Sequence, residues 1–358
     1  MRGGPDAPGA KGRRASTWGP STGPTVLVGL TGPGTSSVAA VKPSPTREPA
    51  RASSGVRVPL AARLVLPRAL VPFFLRATHA NRTFVTAAGA RRRIRQRSLR
   101  PAPFGPPATL RDDVRVDVAQ RGGWPVYTIT RRDGASHGTI VYAHGGGWVG
   151  EIVSQHWHLA AQLSAEVGAT VVLPIYPLVP FGTAEEARVG LVDLVTSADG
   201  PVALAGDSAG GQIVLSAALA LRDAGVVVAN TVLIAPALDL TWSNPRIPEV
   251  QPTDPWLGTP GGRVLAEHWR GSLDLRHPTV SPLFGELAGL GPVTVFTGTR
   301  DVLNPDAHLL REQAARAGVA LEWHEGEGDV HAYPLLPTRS GREARAAIVR
   351  TLRRSFGR

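Results

Sequence analysis

After residue 114 the spacing of apolar positions along the chain changes several times. Residues 114–118 and 125–130 alternate apolar with polar side chains, which predicts strands with one exposed face. Five further runs are short and mostly apolar, as is typical of strands buried on both faces. These runs are residues 139–143, 169–173, 201–205, 231–235 and 293–297, and a last predicted strand follows at 320–324.

Helical patterns lie between several of these strands. Residues 155–167 form one pattern that ends at Gly168, a residue type that favours the end of a helix. A Thr and Glu capping box opens a second pattern over 183–195, and an Asn-Pro pair opens a third over 304–316. Strands that alternate with helices predict a parallel α/β sheet.

The positive charge of the chain is concentrated at its front. Residues 1–100 hold 18 Lys and Arg but 2 Asp and Glu, whereas the whole chain has a net charge of +11, so the remainder is negative. Nucleic acid is not an expected partner, because no aromatic residues are interleaved with the basic ones. Cysteine is absent, which excludes disulfide bonds, thiolate nucleophiles and cysteine metal sites.

Residues 1–55 are rich in Gly, Pro, Ser, Thr and Ala and show no periodicity. Such a segment cannot bury enough apolar surface to offset its ordering entropy, so a disordered basic leader is expected. A translation start near Val56 or Val58 is an alternative that would remove this leader. No export signal or bilayer-spanning run is evident, and a cytoplasmic location is expected.

Residues 58–76 are apolar with interspersed arginines, and Pro67 and Pro72 divide them into short pieces. One interpretation is a lid or a membrane-surface helix that makes a weak membrane contact. The other is a helix that packs on the main core. The sequence leaves both interpretations open.

A glycine-flanked serine follows the strand 201–205 and precedes a helical pattern. Gly206, Ser208 and Gly210 form the pattern G-x-S-x-G. Between a strand and a helix this pattern predicts a tight, strained turn that exposes the serine hydroxyl at the carboxyl edge of the sheet. A phosphate loop is disfavoured, because neither its lysine nor its glycine spacing is present. Ser208 is therefore the candidate nucleophile.

A second glycine cluster follows the strand 139–143 and reads His144, Gly145, Gly146, Gly147. Successive glycines let backbone N–H groups point into a cavity, where one such donor stabilises a developing oxyanion by about 3 kcal/mol. A flexible glycine turn is the alternative. The position of the cluster upstream of the serine turn, directly after a core strand, favours an oxyanion hole.

An acid and a histidine follow the serine in the order that such a site requires. Asp301 follows the strand 293–297, and Asp306 is an alternative acid one turn inside a helix. His331 lies on a loop after the last predicted strand, and His324, at the end of that strand, is its rival. The order of serine, acid and loop histidine favours Asp301 and His331.

At these residues the chain resembles the hormone-sensitive-lipase-like family of α/β-hydrolase esterases. The resemblance rests on HGGGW at 144–148, GDSAGG at 206–211, the acid segment 298–307 and the loop that ends at His331. Further similar segments are PALDL at 236–240, DPWLG at 254–258 and SPLFGELAGLGP at 281–292. The resemblance implies an α/β-hydrolase fold, with a mostly parallel eight-stranded sheet, flanking helices and a small helical cap.

The same resemblance implies a domain organisation. After the leader, residues 56–100 would form an N-terminal segment of the helical cap. Residues 101–358 would form the catalytic domain, and a cap insertion would lie near 241–275.

The resemblance also implies a role for each matched residue. Ser208 would be the nucleophile, Asp301 the orienting acid and His331 the general base. The oxyanion donors would be the backbone amides of Gly146, Gly147 and Ala209. The supporting residues of these turns would be His144, Gly145 and Asp207.

The predicted function is a serine carboxylesterase that hydrolyses short- to medium-chain esters through an acyl-enzyme. The alternatives are a lipase, a lactonase or a deacetylase that acts on a specific secondary metabolite. A non-catalytic ligand-binding protein is the third hypothesis, although such a protein is expected to lose a residue of the triad. The expected partner is a small-molecule ester, and the oligomeric state is left open, with a homodimer as one option.

The predicted mechanism needs no metal and no organic cofactor. His156 and His158 suggest zinc, but no third ligand lies at a suitable spacing, so both are interpreted as helix-surface residues. Trp148, Trp157 and Trp256 are candidates for lining an acyl pocket, with plain core packing as the alternative.

Overall fold

The structure is a computed structural model that describes residues 65–78, 81–134 and 136–358. The expected leader at 1–55 lies outside the described residues, as do the first residues of the 58–76 stretch.

Eight strands form one sheet in the described part of the chain. They are β1 (Val114–Arg121), β2 (Trp124–Arg131), β3 (Thr139–Ala143), β4 (Thr170–Pro174), β5 (Val202–Asp207), β6 (Thr231–Ile234), β7 (Val293–Arg300) and β8 (Leu321–Val330). Their order in the sheet is β1-β2-β4-β3-β5-β6-β7-β8. Strand β2 is antiparallel to β1 and β4, and all other neighbours are parallel. The predicted eight-stranded, mostly parallel sheet is confirmed.

The central strands are buried because helices cover both faces of the sheet. Every residue of β3, β5 and β6 is buried, whereas the edge strand β1 is mostly exposed. Successive side chains of β3 point to opposite faces: Val141 joins the core on one side, and Ile140 and Tyr142 join the core on the other. The carboxyl ends of these parallel strands therefore meet at one edge between two apolar layers.

Helices connect the strands and flank the sheet. The described α-helices are α1 (Val71–Ala77), α2 (Arg82–Val85), α3 (Ala87–Leu99), α4 (Ser154–Leu163), α5 (Ala184–Thr196), α6 (Ala209–Asp223), α7 (Ile247–Val250), α8 (Thr259–Trp269), α9 (Asn304–Arg316) and α10 (Arg339–Ser355). Short 3₁₀ turns lie at Arg68–Leu70, Gln251–Thr253, Pro282–Phe284 and Tyr333–Leu335, and a π turn at Ser164–Gly168 continues α4.

Most predicted helix ends agree with these bounds. Thr183 caps α5 by accepting a hydrogen bond from the Glu186 backbone, and the Glu186 carboxylate accepts one from the Thr183 backbone in return. The predicted cap of α9 is wrong by one position, since Asn304 is its first helical residue and Leu303 is the cap. The predicted end of the last strand is also wrong, because β8 continues through Gly326 and Gly328 alongside β7.

Helices α2, α3 and α8 pack on one another. They come from the two segments in which the resemblance places the helical cap. The approach between α2 and α8 is close, because a Cβ atom on Gly261 would lie 2.3 Å from the Phe84 carbonyl oxygen. Glycine at this position of α8 therefore lets the α2 backbone reach the helix.

Helix α1 is the described part of the apolar stretch 58–76. Val71 and Leu75 are buried in a small cluster with Val330, the last residue of β8. The opposite face is open, since Phe73 and Phe74 are 73% and 56% exposed. None of the described helices is long and apolar enough to cross a bilayer.

Candidate active site

Ser208 stands at the turn between β5 and α6. Its backbone angles are φ 52° and ψ −116°, in a region that residues with a side chain rarely adopt. The turn is held in place because the Ser208 N–H donates to the Ile234 carbonyl of β6 across 2.8 Å. The strain that the sequence pattern predicted is present, and it lies at the carboxyl edge of the sheet.

The glycines on either side of Ser208 are required by close backbone approach. A Cβ atom on Gly206 would lie 2.5 Å from the Gly210 carbonyl oxygen. A Cβ atom on Gly210 would lie 2.0 Å from the carbonyl oxygen of Ala143, the last residue of β3. Both distances are shorter than any real Cβ contact, so helix α6 can begin this close to the sheet only with glycine at these positions.

The second glycine cluster forms a loop directly after β3. Gly146 and Gly147 have φ values of 119° and 60°, and Trp148 continues the left-handed path with φ 59°. Gly145 donates its backbone N–H to the Asp207 carboxylate across 2.9 Å. The loop after β3 is thus fastened to the residue that precedes Ser208.

Asp207 is the centre of a buried polar network behind the two turns. Besides Gly145, its carboxylate accepts from the Tyr142 hydroxyl at 2.7 Å and from Nε2 of His156 at 3.2 Å. Burial raises the pKa of Asp207, but the interaction with His156 and the hydrogen bonds outweigh it and hold that pKa below its usual value. Asp207 is therefore a carboxylate that orders the loop.

The interpretation of His156 as a helix-surface residue is wrong. His156 is buried, and Nδ1 accepts from the Val153 backbone at 3.0 Å, so its proton lies on Nε2, toward Asp207. His158, two positions on, is exposed as expected. The described residues contain no group of three or more ligands that could hold a metal ion.

His144 is buried against the same network. Its Nδ1–H donates to the Gly145 carbonyl at 2.6 Å, and its ring stacks on Tyr176 with 4.6 Å between centroids. Burial, with a smaller contribution from the neighbouring His156, lowers the pKa of His144 to about 3. His144 is therefore a neutral ring that shapes the loop.

Asp301 and His331 meet at the ends of neighbouring strands. Asp301 follows β7, His331 follows β8, and Nδ1 of His331 donates to Oδ2 of Asp301 across 2.7 Å. Both side chains are buried. Burial lowers the pKa of His331, but the charge and hydrogen bond of Asp301 and the charge of Asp254 outweigh it, so the pKa lies above 6.5.

The rival acid and the rival histidine have other partners. Asp306 is buried in α9 and accepts a hydrogen bond from the Asn244 side chain at 2.8 Å. His324 pairs with Glu322 at 2.9 Å and stacks on the Phe296 ring.

The segment that follows α7 contributes Asp254, which the sequence did not assign to the site, and Trp256, which the sequence named only as a candidate for lining an acyl pocket. Asp254 accepts a hydrogen bond from the backbone of Val302, next to Asp301, at 2.8 Å. The Trp256 ring meets the His331 ring edge to face, 5.6 Å between centroids. Burial and the charge of Asp301 raise the pKa of Asp254 to about 6. The signal for Asp254 was the DPWLG segment at 254–258, which resembles the family but by itself indicates no role for Asp254.

The structure brings most of the predicted site residues to one edge of the sheet. Ser208, Asp301 and His331 follow the carboxyl ends of β5, β7 and β8. Among the described residues, none forms a hydrogen bond with the Ser208 hydroxyl, so the structure joins the acid to the histidine but not the histidine to the serine. Of the three candidate pocket tryptophans, Trp256 lies against His331, and Trp148 is buried in one core cluster directly after the glycine loop. Trp157 is buried in the other core cluster, with its ring against Tyr127.

Comparisons with known proteins cover this same region. Residues 140–335 match a family model described as alpha/beta hydrolase fold. An acetyl-hydrolase of Streptomyces hygroscopicus is 35% identical over 233 residues, which are 62% of this chain and 77% of that protein.

Two solved structures share the fold. A Staphylococcus aureus protein, described provisionally as an esterase, has a TM-score of 0.71 and 26% identity, over 76% of this chain and 95% of its own. An esterase from the bacterial hormone-sensitive lipase family has a TM-score of 0.64 and 25% identity, over 76% of this chain and 92% of its own.

Proposed function

Since the chain belongs to the alpha/beta hydrolase fold family, as its resemblance to the hormone-sensitive-lipase-like esterases predicted, we propose that it is a serine carboxylesterase. The observation that carries the proposal is the strained Ser208 turn at the same sheet edge as the hydrogen-bonded pair of His331 and Asp301. A strained serine and a buried acid–histidine pair are the parts that acyl transfer requires.

In the proposed reaction His331 is the general base. Its Nδ1 proton is held by Asp301, so Nε2 carries the lone pair that would take the proton from the Ser208 hydroxyl. Ser208 Oγ would then attack the ester carbonyl, and the protonated His331 would return that proton to the leaving alcohol. Water activated by His331 would release the acid from the acyl-enzyme in a second round.

The oxyanion of each tetrahedral intermediate would rest on backbone amides. We assign this role to Gly146, Gly147 and Ala209. Two features support the assignment. The left-handed Gly146–Gly147 path frees its N–H groups from regular structure, and Ala209 is the first residue of α6, whose N-terminus favours negative charge.

The proposed substrates are carboxylic esters with short to medium acyl chains. The name of the Streptomyces hygroscopicus relative, acetyl-hydrolase, supports a small acyl group. A triacylglycerol lipase of Mycobacterium tuberculosis is 32% identical over 55% of this chain and 42% of its own length, so lipase activity is the second candidate.

A series of p-nitrophenyl esters from acetate to palmitate tests the proposal. We expect the highest kcat/KM on the short and medium chains and loss of hydrolysis in Ser208→Ala. Highest activity on palmitate would favour the lipase. Hydrolysis by Ser208→Ala at the wild-type rate would exclude an esterase that uses this serine.

A further inference from the structure

Gln212 joins three separate segments of the chain to helix α6. Its side chain is fully buried, and Oε1 accepts from the indole N–H of Trp148 at 3.1 Å and from that of Trp269 at 2.8 Å. Its Nε2 donates to the Thr279 carbonyl at 2.7 Å. One amide thus holds the glycine loop after β3, the end of α8 and the segment at Thr279.

Trp148 is the residue through which Gln212 reaches the proposed oxyanion hole. It follows Gly147 directly and has a φ of 59°, an uncommon conformation for a bulky side chain. The described contacts that hold Trp148 there include the bond to Gln212, stacking on Trp269 at 6.1 Å and a hydrogen bond from the Val179 backbone to its carbonyl. The position of this indole therefore bears on the path of the preceding glycines.

Helix α6 fixes the other end of the connection. Gln212 lies one turn after Ser208, and its backbone N–H donates to the Ser208 carbonyl. The helix also carries Ala209 at its first position. A rigid first turn thus joins the strained serine to the amide that holds Trp148.

We infer that Gln212 is a positioning residue that sets the location of the Gly146 and Gly147 amides relative to Ser208. It acts through Trp148 and has no role in proton transfer or bond formation. The inference rests on the proposed function. It adds a residue beyond the triad and the oxyanion donors, and it predicts an effect that appears in the transition state and not in substrate binding.

The test uses Gln212→Met, which keeps the side-chain length but removes the acceptor and the donor. Activity on p-nitrophenyl butyrate is expressed per active site, with the sites counted by stoichiometric labelling with an organophosphonate. We expect kcat to fall about tenfold or more, less than the 10²–10³ that follows loss of an oxyanion donor, with KM within about twofold. A trifluoromethyl ketone, whose serine adduct carries the oxyanion, should bind more weakly by the factor lost in kcat/KM.

Trp148→Phe and Trp269→Phe form a matched pair, because each removes one indole N–H from the same Gln212 oxygen. In the Trp148→Phe background, Gln212→Met should lower kcat by much less than it does in the wild type, because the hydrogen bond from Trp148 to Gln212 is already lost. Phenylalanine at 269 keeps an aromatic ring against Trp148, so in the Trp269→Phe background the kcat effect of Gln212→Met should remain, and the coupling should appear only in Tm.

A wild-type kcat per labelled site in Gln212→Met, with only a lower Tm, would overturn the inference and leave Gln212 as a structural residue. Equal kcat coupling to Trp148 and Trp269 would also overturn it. Failure of the proposed function is a separate result, because there Ser208→Ala would keep the activity and the phosphonate would not label Ser208.

Discussion

Nδ1 of His331 donates to Oδ2 of Asp301 across 2.7 Å, and the two residues lie 30 positions apart in the chain. Parallel strands β7 and β8 bring them together, because each residue follows the carboxyl end of its strand. The bond places the imidazole proton on Nδ1 and leaves the lone pair on Nε2. A neutral ring in this tautomer is the form that a general base requires.

Asp301→Asn should abolish most of the activity, whereas Asp306→Asn should keep it. An amide at 301 can donate to Nδ1 and so favours the wrong tautomer of His331, a change that costs about 10⁴ in kcat at a serine triad. The side chain of Asp306 bonds to Asn244, whereas that of His331 bonds to Asp301, so the Asp306 variant should stay within about threefold of the wild-type kcat. The reverse result would assign the acid to Asp306.

The active form of His331 is neutral, and its pKa is raised above the usual 6.5. As the pH drops through this raised pKa, His331 becomes protonated and hydrolysis should fall. Asp254→Asn removes a negative charge that contributes to this rise, so the acidic limb of the kcat/KM profile should move to lower pH. Asp117→Asn, an exposed change on β1, is the control and should leave the limb unchanged. A limb that moves to higher pH in Asp254→Asn would contradict the electrostatic argument.

The strands and the serine turn could be predicted from the sequence because their signals are local. A buried parallel strand is a short apolar run, and the turn at Ser208 needs glycine where an added Cβ atom would lie only 2.0–2.5 Å from a backbone oxygen. The candidate acid and histidine were found because the order of the triad along the chain is fixed by the topology of the sheet.

The features that were missed depend on distant partners. His156 is buried against Asp207, which lies 51 positions away at the end of a different element. The local sequence around His156 therefore does not show this partner. The extension of β8 through Gly326 and Gly328 follows from pairing with β7, which outweighs the low strand propensity of glycine. The contact of Trp256 with His331 joins the segment after α7 to the loop after β8, and no local pattern encodes such a contact.

Asp306→Asn should stabilise the protein at neutral and higher pH. Burial raises the pKa of Asp306 to about 7, and Oδ2 has no partner among the described residues. As the pH rises from about 4 to 7, the unfolded carboxyl ionises while the folded one keeps its proton, so the free energy of unfolding falls by about 1.4 kcal/mol per pH unit.

The neutral amide removes this loss and can still accept from Asn244. Urea unfolding at about pH 5 and about pH 8 should therefore show a stability gain that is larger at the higher pH. A gain that does not change with pH, or a loss at both values, would contradict the raised pKa.

Gly210→Ala decides between helix propensity and close packing at the serine turn. Alanine in α6 would stabilise an isolated helix by about 1 kcal/mol. The new Cβ would lie 2.0 Å from the Ala143 carbonyl oxygen, and this backbone atom cannot move without disturbing β3 and the glycine loop after it. We expect the steric clash to outweigh the gain in helix propensity, with a net loss of about 1–3 kcal/mol in the free energy of unfolding and a lower kcat per folded molecule.

Gly105→Ala is the control, since its Cβ would meet nothing within 4 Å, and its stability should stay within about 0.5 kcal/mol of the wild type. If urea unfolding shows Gly210→Ala to be as stable as the wild type, glycine is not required for the approach of α6 to the sheet.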